Sequence, residues 1–135
     1  MIIAVCVDDR LGMCFNGRRL SRDSTVYAEL SATAGTTAIY MDSRSEGLFS
    51  GLDARLIACS DFAEKAGEGE YCFMEFISPA LYEAGAEKII IYRWNRSYPS
   101  DMKFDIDLQN WKNVESCSFP GSSHDEITKE VYTRE

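Results

Sequence analysis

Met1-Ile2-Ile3-Ala4-Val5-Cys6-Val7-Asp8-Asp9-Arg10-Leu11-Gly12 opens the chain, an unbroken apolar run that stops at two aspartates and a turn. A strand with one wet face alternates apolar and polar residues. An unbroken run predicts a strand covered on both faces, as in the middle of a parallel sheet flanked by helices. Such a strand needs crossover connections, and the next segment supplies one. Asn16-Gly17 and the basic Arg18-Arg19 extend the loop after the strand. Ser21 then reads as an N-cap with Asp23 in the first helical turn, and Val26, Tyr27, Leu30 and Ala34 recur at helical spacing until Gly35 stops the helix.

The remaining elements follow the same reasoning. Thr36 to Met41 is β-branched and aromatic enough for a second strand, and the polar Asp42-Ser43-Arg44-Ser45-Glu46-Gly47 segment suits the start of a short helix. Ala54 to Cys59 gives a third strand, Asp61 to Gly69 an irregular connection, and Tyr71 to Phe76 a fourth strand. Ser78-Pro79 starts a short helix that Gly85 closes, with proline at the first helical position, where its missing N–H costs nothing. Lys88 to Trp94 is the most strand-like segment of all. Phe104, Ile106 and Leu108 alternate with polar residues as a half-exposed strand does. Val114 to Phe119 and Ile127 to Tyr132 make two last strands around a Pro120-Gly121-Ser122-Ser123 turn. The expected fold class is α/β: one domain over residues 1–135, with a mixed, mostly parallel sheet and flanking helices.

Composition narrows the function. The 135 residues are 45% hydrophobic with three prolines, which suits a packed domain that buries about two-thirds of its unfolded surface. A net charge of −8 opposes general attraction to polyanions, so no general nucleic-acid binding and no membrane association is expected. No segment approaches the roughly 20 apolar residues of a membrane span, and the opening run lacks a signal peptide's basic flank. Cytoplasmic localisation is the expectation. Five scattered cysteines without a Cys-x-x-Cys pair read as buried apolar residues, and a solitary His124 cannot build a hydrolytic zinc site. No metal and no cofactor is expected.

The order of elements and several residues resemble the dihydrofolate reductase family. Asp9-Arg10-Leu11-Gly12-Met13 after the first strand, then Leu20-Ser21-Arg22-Asp23 entering the helix, look like its lid loop and its Leu-Pro-x-Asp helix start. Leu81 to Ile91 resembles its last helix and fifth strand. Asp101-Met102-Lys103-Phe104 with Trp111 resembles its Asp-x-x-Phe segment and following Trp, and Phe119 and Glu126 to Arg134 fit its closing hairpin. The resemblance implies that fold. It also puts Asp23 at the place of the family's pterin-holding, catalytic carboxylate, with Tyr27 one turn on facing the same cleft. The departures lie where phosphate would bind. The family's Gly-Gly pair after the fourth strand lets backbone amides approach a diphosphate; here the place reads Cys72-Phe73-Met74-Glu75-Phe76. Its Gly-Arg-x-Thr helix start is replaced by Asp42-Ser43-Arg44-Ser45, and its Trp before the helix is absent, with Phe15 and Arg18-Arg19 in that loop. Folate reduction with NADPH is therefore not expected.

A second resemblance is to small proteins of gut Firmicutes and their mobile elements, often labelled ribonuclease Z. It is carried by Val7 to Arg10, Phe15 to Asp23, Tyr92 to Asp101 and Phe119 to His124. The di-zinc chemistry of that label needs a His and Asp cluster that one histidine cannot supply.

These readings leave one cleft at the sheet edge, with Asp23 as the candidate catalytic residue and Phe15, Arg18, Arg19, Arg22, Tyr27 and Glu75 as ligand-binding candidates. Arginines beside aromatics suit a phosphate or nucleotide; a solvated loop and a helix-capping acid are the plain alternatives. Arg93, Trp94, Arg96 and Tyr98 form a second basic-aromatic cluster, suited to a partner surface or to packing on the sheet. Ser122, Ser123, His124 and Asp125 are adjacent, and neighbours in sequence do not make a catalytic triad, so this segment reads as turn chemistry. Asp8 and Asp9 with Asp23 could bind Mg²⁺ only by converging. The expected function is a ligand- or protein-binding accessory factor of a mobile element, taking an unidentified protein or a small anionic ligand. The alternatives are an enzyme using the Arg18, Arg19 and Asp23 cleft on a phosphate ligand, and an acidic decoy for a nucleic-acid-binding or defence protein.

Overall fold

The computed structural model describes all 135 residues. In order the elements are β1 (Ile2–Val7), β2 (Gly12–Phe15), β3 (Arg18–Arg19), α1 (Ser24–Ala34), β4 (Ala38–Met41), a 3-10 helix (Ser43–Phe49), β5 (Arg55–Ala58), α2 (Phe62–Lys65), β6 (Tyr71–Phe73), a second 3-10 helix (Pro79–Gly85), β7 (Lys88–Arg93), β8 (Met102–Lys103), a 3-10 turn (Leu108–Asn110), β9 (Trp111–Phe119) and β10 (Ile127–Arg134). The main sheet has the order β5-β4-β6-β1-β7-β10-β9. All its pairings are parallel except those of β10 with β7 and β9.

Every residue of β1 is buried. Its pleat explains the unbroken apolar run. Ile2, Ala4 and Cys6 join the core under α1 with Val26, Tyr27, Leu30 and Phe49, whereas Ile3, Val5 and Val7 join a second core with Phe62, Met74, Phe104 and Trp111. A strand with a core on each side has no position to spare for a polar residue. No helix is long and apolar enough to cross a membrane.

Four local expectations are corrected. Asn16 and Gly17 are not plain loop but the two central residues of a hairpin between β2 and β3, at φ of 51° and 69°. Both conformations are left-handed, which Asn and Gly adopt most readily. The cap of α1 is Asp23 rather than Ser21, with Thr25 N–H donating to its carboxylate at 3.0 Å. The connection after Asp61 contains α2. The segment from Phe104 to Leu108 forms no ladder; Met102–Lys103 pairs with β2 instead, and Phe104 and Ile106 are buried as apolar anchors.

Candidate functional site

The loop between β9 and β10 folds back on the start of α1 and closes around Asp23. One carboxylate oxygen accepts from Ser122 N and Ser122 Oγ, each at 3.0 Å, as well as from Thr25 N and the Thr25 hydroxyl. The other accepts from Ser123 N at 2.8 Å, His124 N at 3.1 Å and His124 Nδ1 at 3.0 Å. Gly121 permits the approach, since a Cβ there would collide with the carboxylate and lie 2.7 Å from the His124 carbonyl oxygen. Burial alone would raise the Asp23 carboxyl, but the hydrogen bonds from Thr25, Ser122, Ser123 and His124 outweigh it and hold the group well below its usual 3.8.

An ionised Asp23 fixes the imidazole. Nδ1 must carry a proton to donate to it, which leaves Nε2 of the neutral ring as an acceptor. Two hydroxyls meet that nitrogen, Ser21 Oγ at 3.1 Å and Tyr98 Oη at 2.9 Å, and Tyr98 Oη donates to Ser21 Oγ at 3.2 Å. Trp94 stacks on the ring at 4.8 Å between centroids. His124 is 5% exposed. Ser21 and His124 as partners were not legible in the sequence, because 103 residues separate them. The solitary histidine was the one signal.

Glu75 closes the position of the expected cleft. Arg19 grips it with Nε at 2.8 Å and an Nη at 2.6 Å, and Ser45 Oγ donates to it at 2.7 Å. Arg44 lies over the Phe76 ring at 4.0 Å and is held by Asp42. Tyr27 does not face a cleft. Its ring packs against Phe49 and Phe73, and its hydroxyl is buried without a partner, a site where burial first of all pushes the phenol up. Arg22 is exposed and makes no ion pair.

The open space lies beside this pair. A cleft of about 510 Å³ runs between the β2–β3 hairpin and the loop after β7, lined by Phe15, Asn16, Arg18, Arg19, Leu20, Tyr98 and Pro99. Arg18 is exposed there and free of any side-chain partner; Phe15 is 43% exposed. Behind the cleft, buried Asp8 anchors the loop that carries Tyr98 by accepting from Tyr98 N at 3.0 Å, Gly12 N at 2.7 Å and Arg10 N at 2.9 Å. Asp9 takes the Ser97 hydroxyl, so Asp8, Asp9 and Asp23 do not converge, and no group of three or more His, Cys, Asp or Glu side chains is placed to hold a metal. The second predicted cluster is divided: Arg93 pairs with Glu130 at 2.8 Å, Trp94 is buried against His124, Arg96 points to solvent, and Tyr98 joins the cleft. A second cavity of about 660 Å³ lies between the end of α1 and residues 52–55.

The strand order and the single hairpin at the end of the sheet define a dihydrofolate-reductase-like fold. The chain is similar in structure to the dihydrofolate reductase from Enterococcus faecalis complexed with NADP(H) and RAB-propyl, with a TM-score of 0.65 and 13% identity over 99% of this chain and 96% of that one. No protein-family model and no curated protein matches the sequence. At that identity the likeness is one of fold, and fold does not carry function with it.

Proposed function

We propose that this dihydrofolate-reductase-like protein is not a nicotinamide-dependent reductase and that it takes a small anionic ligand in the cleft between Phe15 and Tyr98. The observation that carries the reading is the division of labour between adjacent arginines: Arg19 is spent on Glu75, while Arg18 lines the cleft without a partner. A free guanidinium beside Phe15 and Pro99 suits a carboxylate or phosphate attached to a flat or apolar body.

The residues at the family's diphosphate positions do not fit that group. Met74 is fully buried after β6, Glu75 follows it, and Asp42 caps the 3-10 helix after β4, so a diphosphate would meet side chains and two carboxylates. The accessory role in a mobile element belongs to this proposal and rests on the motif matches of the second resemblance. Titration with NADPH and with inorganic phosphate, followed by calorimetry or NMR, tests the reading. Phosphate binding that Arg18→Ala weakens supports it. Micromolar NADPH binding with pterin reduction overturns it.

A further inference from the structure

The Ser21, His124 and Asp23 side chains stand in the order and at the distances of a nucleophile, a base and the group that orients the base. Asp23 Oδ2 to His124 Nδ1 is 3.0 Å, and His124 Nε2 to Ser21 Oγ is 3.1 Å. Such a constellation is recognised by geometry and roles, not by position in the sequence. The base here has the required tautomer, since the carboxylate takes the Nδ1 proton and leaves Nε2 facing the hydroxyl. Its ring cannot turn, being stacked on Trp94 and enclosed by the 121–124 loop. The serine is only partly buried, and its neighbours open to solvent: Leu20, which precedes it, and Tyr98, bonded to it, both line the cleft. A purely structural latch on α1 is already complete with Asp23 and the loop amides, and needs neither the second ring nitrogen nor the two hydroxyls on it.

We propose that Ser21 is an acyl-accepting nucleophile and that the protein hydrolyses small carboxylic esters bearing an anionic group, which rests on the cleft assigned above. Ser21 Oγ attacks the ester carbonyl and forms the Oγ–C bond while its proton passes to His124 Nε2. The Tyr98 hydroxyl, which donates to Ser21 Oγ in the resting site, is free once that oxygen has bonded to the carbonyl carbon to donate to the carbonyl oxygen, where negative charge gathers. The C–O bond of the leaving group then breaks, and the alkoxide takes the proton from Nε2. Water attacks the acyl-serine and gives its proton to Nε2, and as the acyl–Oγ bond breaks Ser21 Oγ takes that proton back, releasing the acid and restoring both the hydroxyl and the neutral imidazole. Water is the only co-reactant. The anionic group would sit on Arg18, with Phe15, Leu20 and Pro99 against the carbon chain.

The test uses the intact protein with p-nitrophenyl acetate and p-nitrophenyl hemisuccinate, following p-nitrophenolate release and the intact mass, with the acylated residue located by peptide mapping. The expected result is an acyl adduct on Ser21 that disappears in Ser21→Ala, persists in Ser60→Ala, a control at an exposed serine remote from the site, and forms at least about a hundredfold more slowly in His124→Gln. Far-ultraviolet circular dichroism of each variant checks that it is folded. Where His124→Gln fails to fold, the location of the adduct and Ser21→Ala decide. The absence of an adduct on Ser21 in the unaltered protein, or ester turnover unchanged in Ser21→Ala, overturns the proposal. Phosphate binding at Arg18 without acylation overturns the nucleophile and leaves the anion cleft standing. Acylation of Ser21 with no preference for the hemisuccinate supports the nucleophile and removes the anion cleft.

Discussion

Asp23 and His124 are joined at 3.0 Å across 101 residues of chain, the first capping α1 and the second belonging to the loop between β9 and β10. The bond ties the carboxyl-terminal hairpin to the first helix, and it fixes a buried imidazole beside two hydroxyls. Fold and candidate chemistry thus share one carboxylate.

The tightness of that clasp gives the first prediction. Gly121→Ala places a methyl group against the Asp23 carboxylate and lowers stability by about 2 kcal/mol, the scale of an overpacked site. Gly47→Ala, where nothing lies within 4 Å of the added carbon, is close to neutral. Urea unfolding of the two variants measures the difference.

Arg19 and Glu75 form a bidentate pair, with the side chains 22% and 8% exposed. Arg19→Ala leaves a buried carboxylate without its main partner, and we expect a loss of about 2 to 3 kcal/mol, somewhat under the figure for a fully enclosed pair because water reaches the arginine. Replacing both residues with apolar ones, Arg19→Met with Glu75→Leu, restores most of that loss. A double-mutant cycle by thermal or urea unfolding checks the coupling.

Acid sensitivity follows from the depressed carboxylates. Asp23 and Asp8 are buried, which raises them, yet backbone and side-chain donors outweigh burial and lower both; Asp42 is lowered chiefly by its bond to Arg44. A group whose folded pKa is depressed contributes stability that is present above its unfolded value and is lost as pH falls through that value towards the folded one. The urea midpoint is therefore expected to lose no stability from these groups between neutrality and about pH 5, and to decline as pH falls below about 4. A decline that begins near neutrality would contradict the assignment.

The thiols separate by environment. Burial pushes Cys72 up to about 12, and it raises Cys6 and Cys14 as well, whereas Cys117 is exposed on β9. At pH 8 a thiol reagent should label Cys117 first and leave Cys6, Cys14 and Cys72 unmodified until denaturant is added. Rapid labelling of Cys72 in the native protein would count against the packing of β6.

The sequence by itself determined the centre of the fold. Ile2 to Val7 had to lie between two apolar layers, because every position is apolar and one strand presents its residues alternately to two faces. Val26, Tyr27 and Leu30 had to turn one face of a helix towards it, and Ser78-Pro79 had to begin a turn of helix. These are local rules of period and backbone chemistry. Asn16-Gly17 carries a hairpin signal of the same local kind, yet it reads as an extension of the loop, and only the pairing of Cys14 with Arg19 and of Phe15 with Arg18 makes it a turn.

Only the tertiary structure decided the site. Arg19 and Glu75, which read as two walls of an open cleft, neutralise each other across 56 residues, while Arg18 beside them stays free. Asp23 read as a helix acid or a pterin carboxylate, and its oxygens are taken by a loop about a hundred residues away. His124 read as turn chemistry, and it bonds neither of its serine neighbours but Ser21, Asp23 and Tyr98. Side-chain partners at that separation are set by how the sheet orders its strands, and no periodicity in the chain encodes which loop closes over which helix.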